Sequence, residues 1–159
     1  MADFIQLKKN NILKIGIKDV DGKDTGEFLT FDMEDIELPL RLNQCEMQHR
    51  KNLEYLKSQF IIIDKKEDKK GKFILSWKEE EKLKALQEFY KREMDALDLF
   101  LGKDGTKKLL NGRNPYYSMY EDINEMLEPI LPKLKVSAES IADKIKKKYK
   151  VEKEDEVLE

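Results

Sequence analysis

Residues 12–33, ILKIGIKDVDGKDTGEFLTFDM, decide the fold class, because they separate a purely helical chain from one that also contains strands. Apolar side chains occupy alternate positions on both sides of Asp21-Gly22: Leu13, Ile15, Ile17, Leu29, Phe31 and Met33. Alternation of period two around a turn dipeptide predicts a β-hairpin. Since two strands alone are barely stable in water, we expect the apolar face of this hairpin to pack on the next segment, a helix at 38–62.

The turn of this hairpin, DVDGKDTGE at residues 19–27, has the acidic residues and glycines of a calcium loop. An EF-hand needs oxygen ligands at its first, third and fifth positions and glycine at its sixth. Counted from Asp19, the fifth position is Lys23 and the sixth is Asp24. The pattern therefore favours a hairpin tip, and we predict no metal site and no cofactor.

Two long helices are predicted after the hairpin. The first, residues 38–62, has an apolar stripe with steps of three and four residues: Leu38, Leu42, Cys45, His49, Leu53, Leu56 and Phe60. The second, residues 77–101, follows Ser76, with Glu79 at the spacing of a capping box, and ends at Gly102. A weaker alternative pairs residues 61–63 with residues 73–75 as a second hairpin.

Two further helices are predicted in the last third of the chain. An apolar face runs along residues 116–134, although Pro129 and Pro132 must kink or split that helix. Ser137 is predicted to cap a last helix at 138–149, which is followed by an acidic tail, residues 151–159, that we expect to fray. The predicted architecture is α+β and mainly α, with an N-terminal hairpin packed on about four helices in a single domain, residues 1–150.

The stretch between the second and third helices, GKDGTKKLLNGRNP at residues 102–115, resembles a phosphate-binding loop only in composition. A P-loop requires G-x-x-x-x-G-K-[ST] between a strand and a helix, and this stretch has neither the spacing nor the context. We predict a connector in which Gly102 and Gly105 accept positive φ. Leu109 and Leu110 are its expected buried anchors, whereas the charged side chains are expected to be exposed: Lys103, Lys107, Lys108 and Arg113.

Catalytic chemistry has little support in the sequence. Cys45 and His49 are spaced i, i+4 and could touch on one helix face, but a thiolate–imidazole nucleophile also needs an orienting group and an oxyanion site. Nothing in the sequence marks either, so His49 is predicted to be a hydrogen-bonded residue at the edge of the core. We expect a protein that is not an enzyme.

Charge and hydropathy restrict the partners and the compartment. The 31 Lys and Arg residues nearly balance the 33 Asp and Glu residues, which argues against nonspecific nucleic-acid binding. The basic run that ends the last helix, residues 144–150, is expected to be a solvated end neutralised in part by the acidic tail. The longest apolar run, FIII at residues 60–63, is far too short for a membrane span, and MADFIQLKKNN has no secretory pattern. With its single cysteine, the chain fits a reducing cytoplasm.

Four segments resemble the tail assembly chaperones encoded by phages and prophages of Gram-positive bacteria. They are DTGEFLTFDMEDIELPLR (24–41), LQEFY (86–90), ALDLFLGKDGTKKLLNGRNPYYSMYEDINEMLEPILPKL (96–134) and IADKIKKKY (141–149). The resemblance implies a cytoplasmic, non-enzymatic protein of the bacterial host that binds the tape measure protein and helps tail tube protein assemble around it. It supplies no catalytic residues.

Two functions of different classes follow from the sequence. The first is a tail assembly chaperone, which is an assembly factor and which could also self-associate. The second is a structural component of the head–tail or tail assembly that is retained in the phage particle. The candidate partner-binding residues are aromatic or apolar and lie around the connector, where the sequence leaves open whether they pack inward: Phe100, Leu101, Tyr116, Tyr117 and Tyr120.

Overall fold

The computed structural model describes residues 2–149. Strands β1 (Ile12–Lys18) and β2 (Asp24–Asp32) form an antiparallel hairpin, and helices α1 (Glu37–Asp64) and α2 (Trp77–Leu101) follow. A short helix α3 (Gly105–Leu110) and helices α4 (Met119–Leu127) and α5 (Leu131–Tyr149) complete the described part of the chain. The fold is α+β and mainly α, as predicted, while the expected acidic tail lies outside the described residues.

The hairpin has the predicted strands and the predicted apolar face. Leu13 pairs with Phe31 and Ile15 pairs with Leu29, so both strands turn their apolar residues to the same side. The turn closes through Asp19, whose Oδ1 accepts hydrogen bonds from the backbone N–H groups of Asp21 and Lys23. The Asp-rich sequence is therefore a hairpin tip in which a side chain substitutes for a backbone turn contact.

The partner of the hairpin differs from the prediction. Its apolar face packs chiefly on α2 and α3 rather than on α1. The rings of Phe31 and Phe100 are stacked with centroids 5.2 Å apart, and Leu38 at the start of α1 joins the same core. The reason is that α1 packs along α2, which leaves the hairpin to pack where α2 meets α3.

The two long helices form an antiparallel pair that carries most of the helical packing. At the start of α2 the capping box is present, with the Ser76 side chain on the Glu79 backbone and the Glu79 side chain on the Ser76 backbone. The alternative second hairpin is wrong, because residues 61–63 are the last turn of α1 and residues 73–75 form no strand. Ile63 is buried in this last turn of α1.

The helix predicted at 116–134 is split, and the helix predicted at 138–149 begins earlier. Between α4 and α5 the chain breaks at residues 128–130, since Pro129 cannot donate the backbone hydrogen bond that a continuous helix needs. Pro132 is tolerated in the first turn of α5. Ser137 is not a cap: it lies inside α5, and its hydroxyl donates to the carbonyl oxygen of Met33 at 2.6 Å.

The connector is more ordered than predicted, because it contains α3. Gly102 has a φ of 93°, as expected, but Gly105 begins α3 without a positive φ and is buried. A Cβ at Gly105 would lie 2.5 Å from the Cβ of Leu101, so glycine is required by close packing and not by backbone conformation. Leu110 is buried and Leu109 is half-buried, whereas of the four charged residues only Lys108 is half-buried.

Candidate partner-binding groove

A groove runs between α2 and the segment that leads into α4, and we call it the tyrosine groove. It has a volume of about 800 Å³. Its apolar and aromatic lining comes from two places in the chain, namely Leu83, Leu86 and Tyr90 on α2, and Pro115, Tyr116 and Tyr117 opposite. Glu80, Lys84, Gln87 and Asn114 form its polar rim.

The α2 wall follows from helical spacing. Leu83, Leu86 and Tyr90 are separated by three and four residues, so they lie on one face of α2. Ala85 and Phe89 on another face are buried against the rest of the protein. One helix thus supplies both the packing of the helix pair and one wall of the groove.

Hydrogen bonds hold the opposite wall against α2. The hydroxyl of Tyr90 donates to the carbonyl oxygen of Tyr117 at 3.0 Å, and the hydroxyl of Tyr116 donates to a carboxylate oxygen of Asp122 at 2.7 Å. The guanidinium of Arg113 lies 3.7 Å from the centroid of the Tyr116 ring. These contacts fix the backbone of the wall and leave the Tyr117 ring 90% exposed at its edge.

Both phenols that hold the wall stay protonated near neutral pH. Burial, together with the charge of Glu121, raises the pKa of Tyr90, and the hydrogen bond to Asp122 raises the pKa of Tyr116. Each hydroxyl is therefore a hydrogen-bond donor at neutral pH.

The five predicted candidates are not brought together. Tyr116 and Tyr117 lie in the groove, but Phe100 and Leu101 are buried in the core and present no surface to a partner. Tyr120 is half-buried, and its ring stacks on that of His49 with centroids 3.9 Å apart. The prediction that Phe100 and Leu101 contact a partner is therefore wrong, because the hairpin and α3 cover that end of α2.

The α2 side of the groove was not predicted from the sequence. Leu83, Leu86 and Tyr90 belong to an apolar stripe that predicts burial in the core, yet Leu83 is 48% exposed and the other two are half-buried. The sequence carries no signal for this exposure, because the same helical spacing describes the covered and the uncovered parts of the stripe.

A polar cluster lies buried between α1 and α2. Glu93 is 1% exposed and accepts hydrogen bonds from Asn52 Nδ2 at 2.8 Å and from Nδ1 of His49 at 2.6 Å. Gln48 in turn donates to Oδ1 of Asn52 at 2.9 Å. The predicted place of His49, hydrogen-bonded at the edge of the core, agrees with this geometry. The role of Glu93 was not predicted, although the sequence places this glutamate on the buried side of α2, between Phe89 and Leu97.

The same cluster supplies an orienting carboxylate for His49 but no activated nucleophile. Burial raises the pKa of the Cys45 thiol to about 11, and the charges of Glu93 and Glu46 act in the same direction. The thiol therefore stays protonated at neutral pH, whereas a catalytic cysteine needs a lowered pKa. Among residues 2–149, no group of three or more His, Cys, Asp and Glu side chains is placed to hold a metal ion.

Comparisons of the chain with models of known families, with curated proteins and with solved structures found no significant match. The relationship to phage tail assembly chaperones therefore stays a prediction from the four segments quoted above.

Proposed function

We propose that this protein is a phage tail assembly chaperone that holds an amphipathic helical segment of the tape measure protein in the tyrosine groove. The observation that supports the proposal is the combination of exposed Leu83 and Tyr117 on two walls that are hydrogen-bonded to each other. Apolar side chains that line a concave surface are a feature of grooves that bind a partner.

The dimensions of the groove suit a helix. Its α2 wall extends from Leu83 to Tyr90, which is about 10 Å along the helix axis, or roughly two turns of a partner helix. Helix-in-groove recognition uses apolar anchors at spacings of three and four residues, and Leu83, Leu86 and Tyr90 offer contacts at that spacing. The rim carries one negative and one positive side chain, Glu80 and Lys84, so it favours a partner without a strong net charge.

The proposed role requires no catalysis and no cofactor. No helix within residues 2–149 is both long enough and apolar enough to span a membrane. We place the protein in the cytoplasm of a bacterial host, where it would keep the tape measure protein soluble while tail tube protein assembles around it. These assignments rest on the resemblance, and the groove supplies the surface through which the protein would act.

The test is co-expression with the cognate tape measure protein that the proposal requires. A Leu83→Asp/Tyr117→Ser variant should lower the soluble fraction of tape measure protein at least about fivefold, because it places a charge in the groove and removes its outer ring. A Leu53→Asp variant is the matched control, since Leu53 is 45% exposed on α1 and does not line the groove.

The following outcomes decide between an assembly chaperone and a structural component of the tail. The proposal is contradicted if the tape measure protein is equally soluble with the parent protein and with the groove variant. It is also contradicted if the tape measure protein is equally soluble when neither of them is co-expressed. If the protein instead co-purifies in fixed amount with finished particles, it is a structural component of the tail and not an assembly factor.

A further inference from the structure

Residues 112–118, GRNPYYS, connect α3 to α4 without a helix or a strand, and we call them the strap. They supply the wall of the tyrosine groove that faces α2. The chain enters the strap through Asn111 and Gly112, whose φ values of 48° and 84° lie outside the helical region. Among the described residues, no atom beyond the chain neighbours of Gly112 lies within 4 Å of a Cβ placed there. This end of the strap therefore has room to rotate.

Both flanks of the strap are anchored in the core. Leu110 is buried shortly before it, and Met119, directly after it, is only 1% exposed. One residue further along the chain, the ring of Tyr120 stacks on the ring of His49. Movement of this wall of the groove is thereby confined to the short segment between Leu110 and Met119.

A hydrogen bond fastens the strap to α2. The hydroxyl of Tyr90 donates to the carbonyl oxygen of Tyr117 at 3.0 Å, and the bond is open to solvent. Two further side-chain contacts stay on the strap's own side of the groove, since Tyr116 bonds to Asp122 on α4 and Arg113 lies over the Tyr116 ring. The bond from Tyr90 therefore joins the two walls, and it does so at the Tyr90 end of the groove.

We propose that the strap is a hinged wall of the tyrosine groove, with the hydrogen bond between Tyr90 and Tyr117 as its latch, and that it swings away from α2 to admit a partner helix longer than two turns. While the latch is closed, the bond ends the groove at Tyr90, and the stretch of α2 from Leu83 to Tyr90 matches roughly two turns. Release of the latch opens that end. The admission of a helix rests on the proposed function, whereas the hinge and the latch are properties of the free protein.

Opening of the strap costs little compared with unfolding of the core. No strap residue is buried: Pro115 and Tyr116 are half-buried and the other five are exposed. Water can replace the hydrogen bond that is lost, because the bond is open to solvent. Segments with few buried contacts open locally at a fraction of the global free energy of unfolding. The closed strap is therefore in equilibrium with an open form in the free protein.

Hydrogen exchange of the free protein tests the latch. A Tyr90→Phe variant removes the hydroxyl and keeps the ring, so exchange in the strap should become about three- to tenfold faster, which is the effect of one lost hydrogen bond. The probes are the backbone amides of Arg113 and Met119, which are hydrogen-bonded at the two ends of the strap. The matched control, Tyr55→Phe, removes a hydroxyl from α1 outside the groove and should leave strap exchange unchanged. Exchange at residues 93–101 should be the same in all three proteins.

Low concentrations of urea provide a second measurement, which needs no substitution. In the parent protein, strap exchange should be nearly independent of urea below the unfolding transition, because local opening exposes little surface. Exchange at residues 93–101 should rise with urea, since these residues open together with the core.

The latch is refuted if Tyr90→Phe leaves strap exchange unchanged, or if it accelerates exchange at residues 93–101 equally. The hinge is refuted if strap exchange in the parent rises with urea as steeply as exchange at residues 93–101, because the strap then opens only with the core. These measurements do not involve the tape measure protein, so their failure is distinguishable from failure of the chaperone proposal.

Co-expression tests the admission of a partner helix. The Tyr90→Phe variant should keep at least as much tape measure protein soluble as the parent does, because it opens more readily. A loss as large as that of the Leu83→Asp/Tyr117→Ser variant would overturn this part, since the closed strap would then be the binding form. If the strap exchanges as expected but the parent does not solubilise the tape measure protein, the chaperone proposal and the admission of a helix fail together, and the hinge and the latch remain.

Discussion

A single buried carboxylate, that of Glu93, joins the two longest helices of the protein. A carboxylate only accepts hydrogen bonds, so Nδ1 of His49 carries the proton in this contact and Asn52 supplies the second donor. The His49 ring also stacks on Tyr120, whose pKa burial raises to about 12. Helices α1 and α2 therefore share one hydrogen-bonded polar cluster, and the Tyr120 ring of α4 packs against it.

Loss of the hydrogen bond from His49 to Glu93 should destabilise the protein more than loss of the ring contact between His49 and Tyr120 would. A His49→Phe substitution keeps an aromatic ring on Tyr120 but leaves the Glu93 carboxylate short of a donor, at a cost of about 2–4 kcal/mol in the free energy of unfolding. Adding Glu93→Met to this variant should recover at least half of the loss, because the buried charge is gone. Urea denaturation of the parent, both single variants and the double variant measures the coupling. Strictly additive effects would show that the two side chains do not act as a pair.

Helix α3 shows how an element of six residues is stabilised by its neighbours rather than by its own propensity. Isolated helices of this length are not stable in water. Thr106 is completely buried, and both its N–H and its hydroxyl donate to Oδ1 of Asp98 at 2.9 Å. Asp104 and Asn111 have left-handed backbone conformations at either end, so the chain enters and leaves the helix by tight turns.

The anchoring of α3 predicts an order of stability effects in the connector. Leu110→Ala should lower the free energy of unfolding by about 2–5 kcal/mol, because Leu110 is buried in the core. Leu109→Ala should cost less, since Leu109 is half-buried, and Lys107→Ala should change stability by less than about 0.5 kcal/mol. Thermal and urea unfolding of the three variants provide the comparison. A lysine variant that unfolds before the leucine variants would exclude this role for the connector.

At the scale of the whole molecule, the buried core is concentrated at one end of the helix pair. The main apolar cluster draws on the hairpin, on the early part of α1, on the late part of α2 and on α3 to α5. The distal half of the helix pair, residues 53–64 and 77–88, contributes only Ile63 and Ala85 to the buried apolar residues. That half is held by two-helix packing and by exposed ion pairs such as Lys82 with Asp64 at 2.7 Å.

This uneven distribution predicts uneven protection of backbone amides. Hydrogen exchange should be faster in the distal half of the helix pair than at residues 93–101, by about tenfold or more, because local opening there exposes less buried surface. Mass spectrometry of peptides after timed exchange would measure it. Equal protection along the whole of α2 would mean that the helix pair opens only together with the core.

Local patterns determined the hairpin, the two long helices and the helix start at Ser76. Their signals are contained within a few residues: alternation of period two around Asp21-Gly22, stripes of period 3.6, and a cap three residues before its partner. The proline break after α4 was equally local, because Pro129 lacks the N–H that a continuous helix requires. Each of these signals can be identified without reference to distant parts of the chain.

Tertiary structure alone decided which surfaces these elements share. Ser137 was predicted as a cap, but it lies inside α5 and binds Met33, and His49 meets a glutamate 44 residues away. Half of the tyrosine groove was hidden for the same reason, since the period of α2 defines an apolar face but does not say which part of that face a neighbour covers. Periodicity is a property of one segment, whereas burial depends on segments far apart in the chain, and so it appears only once the fold brings them together.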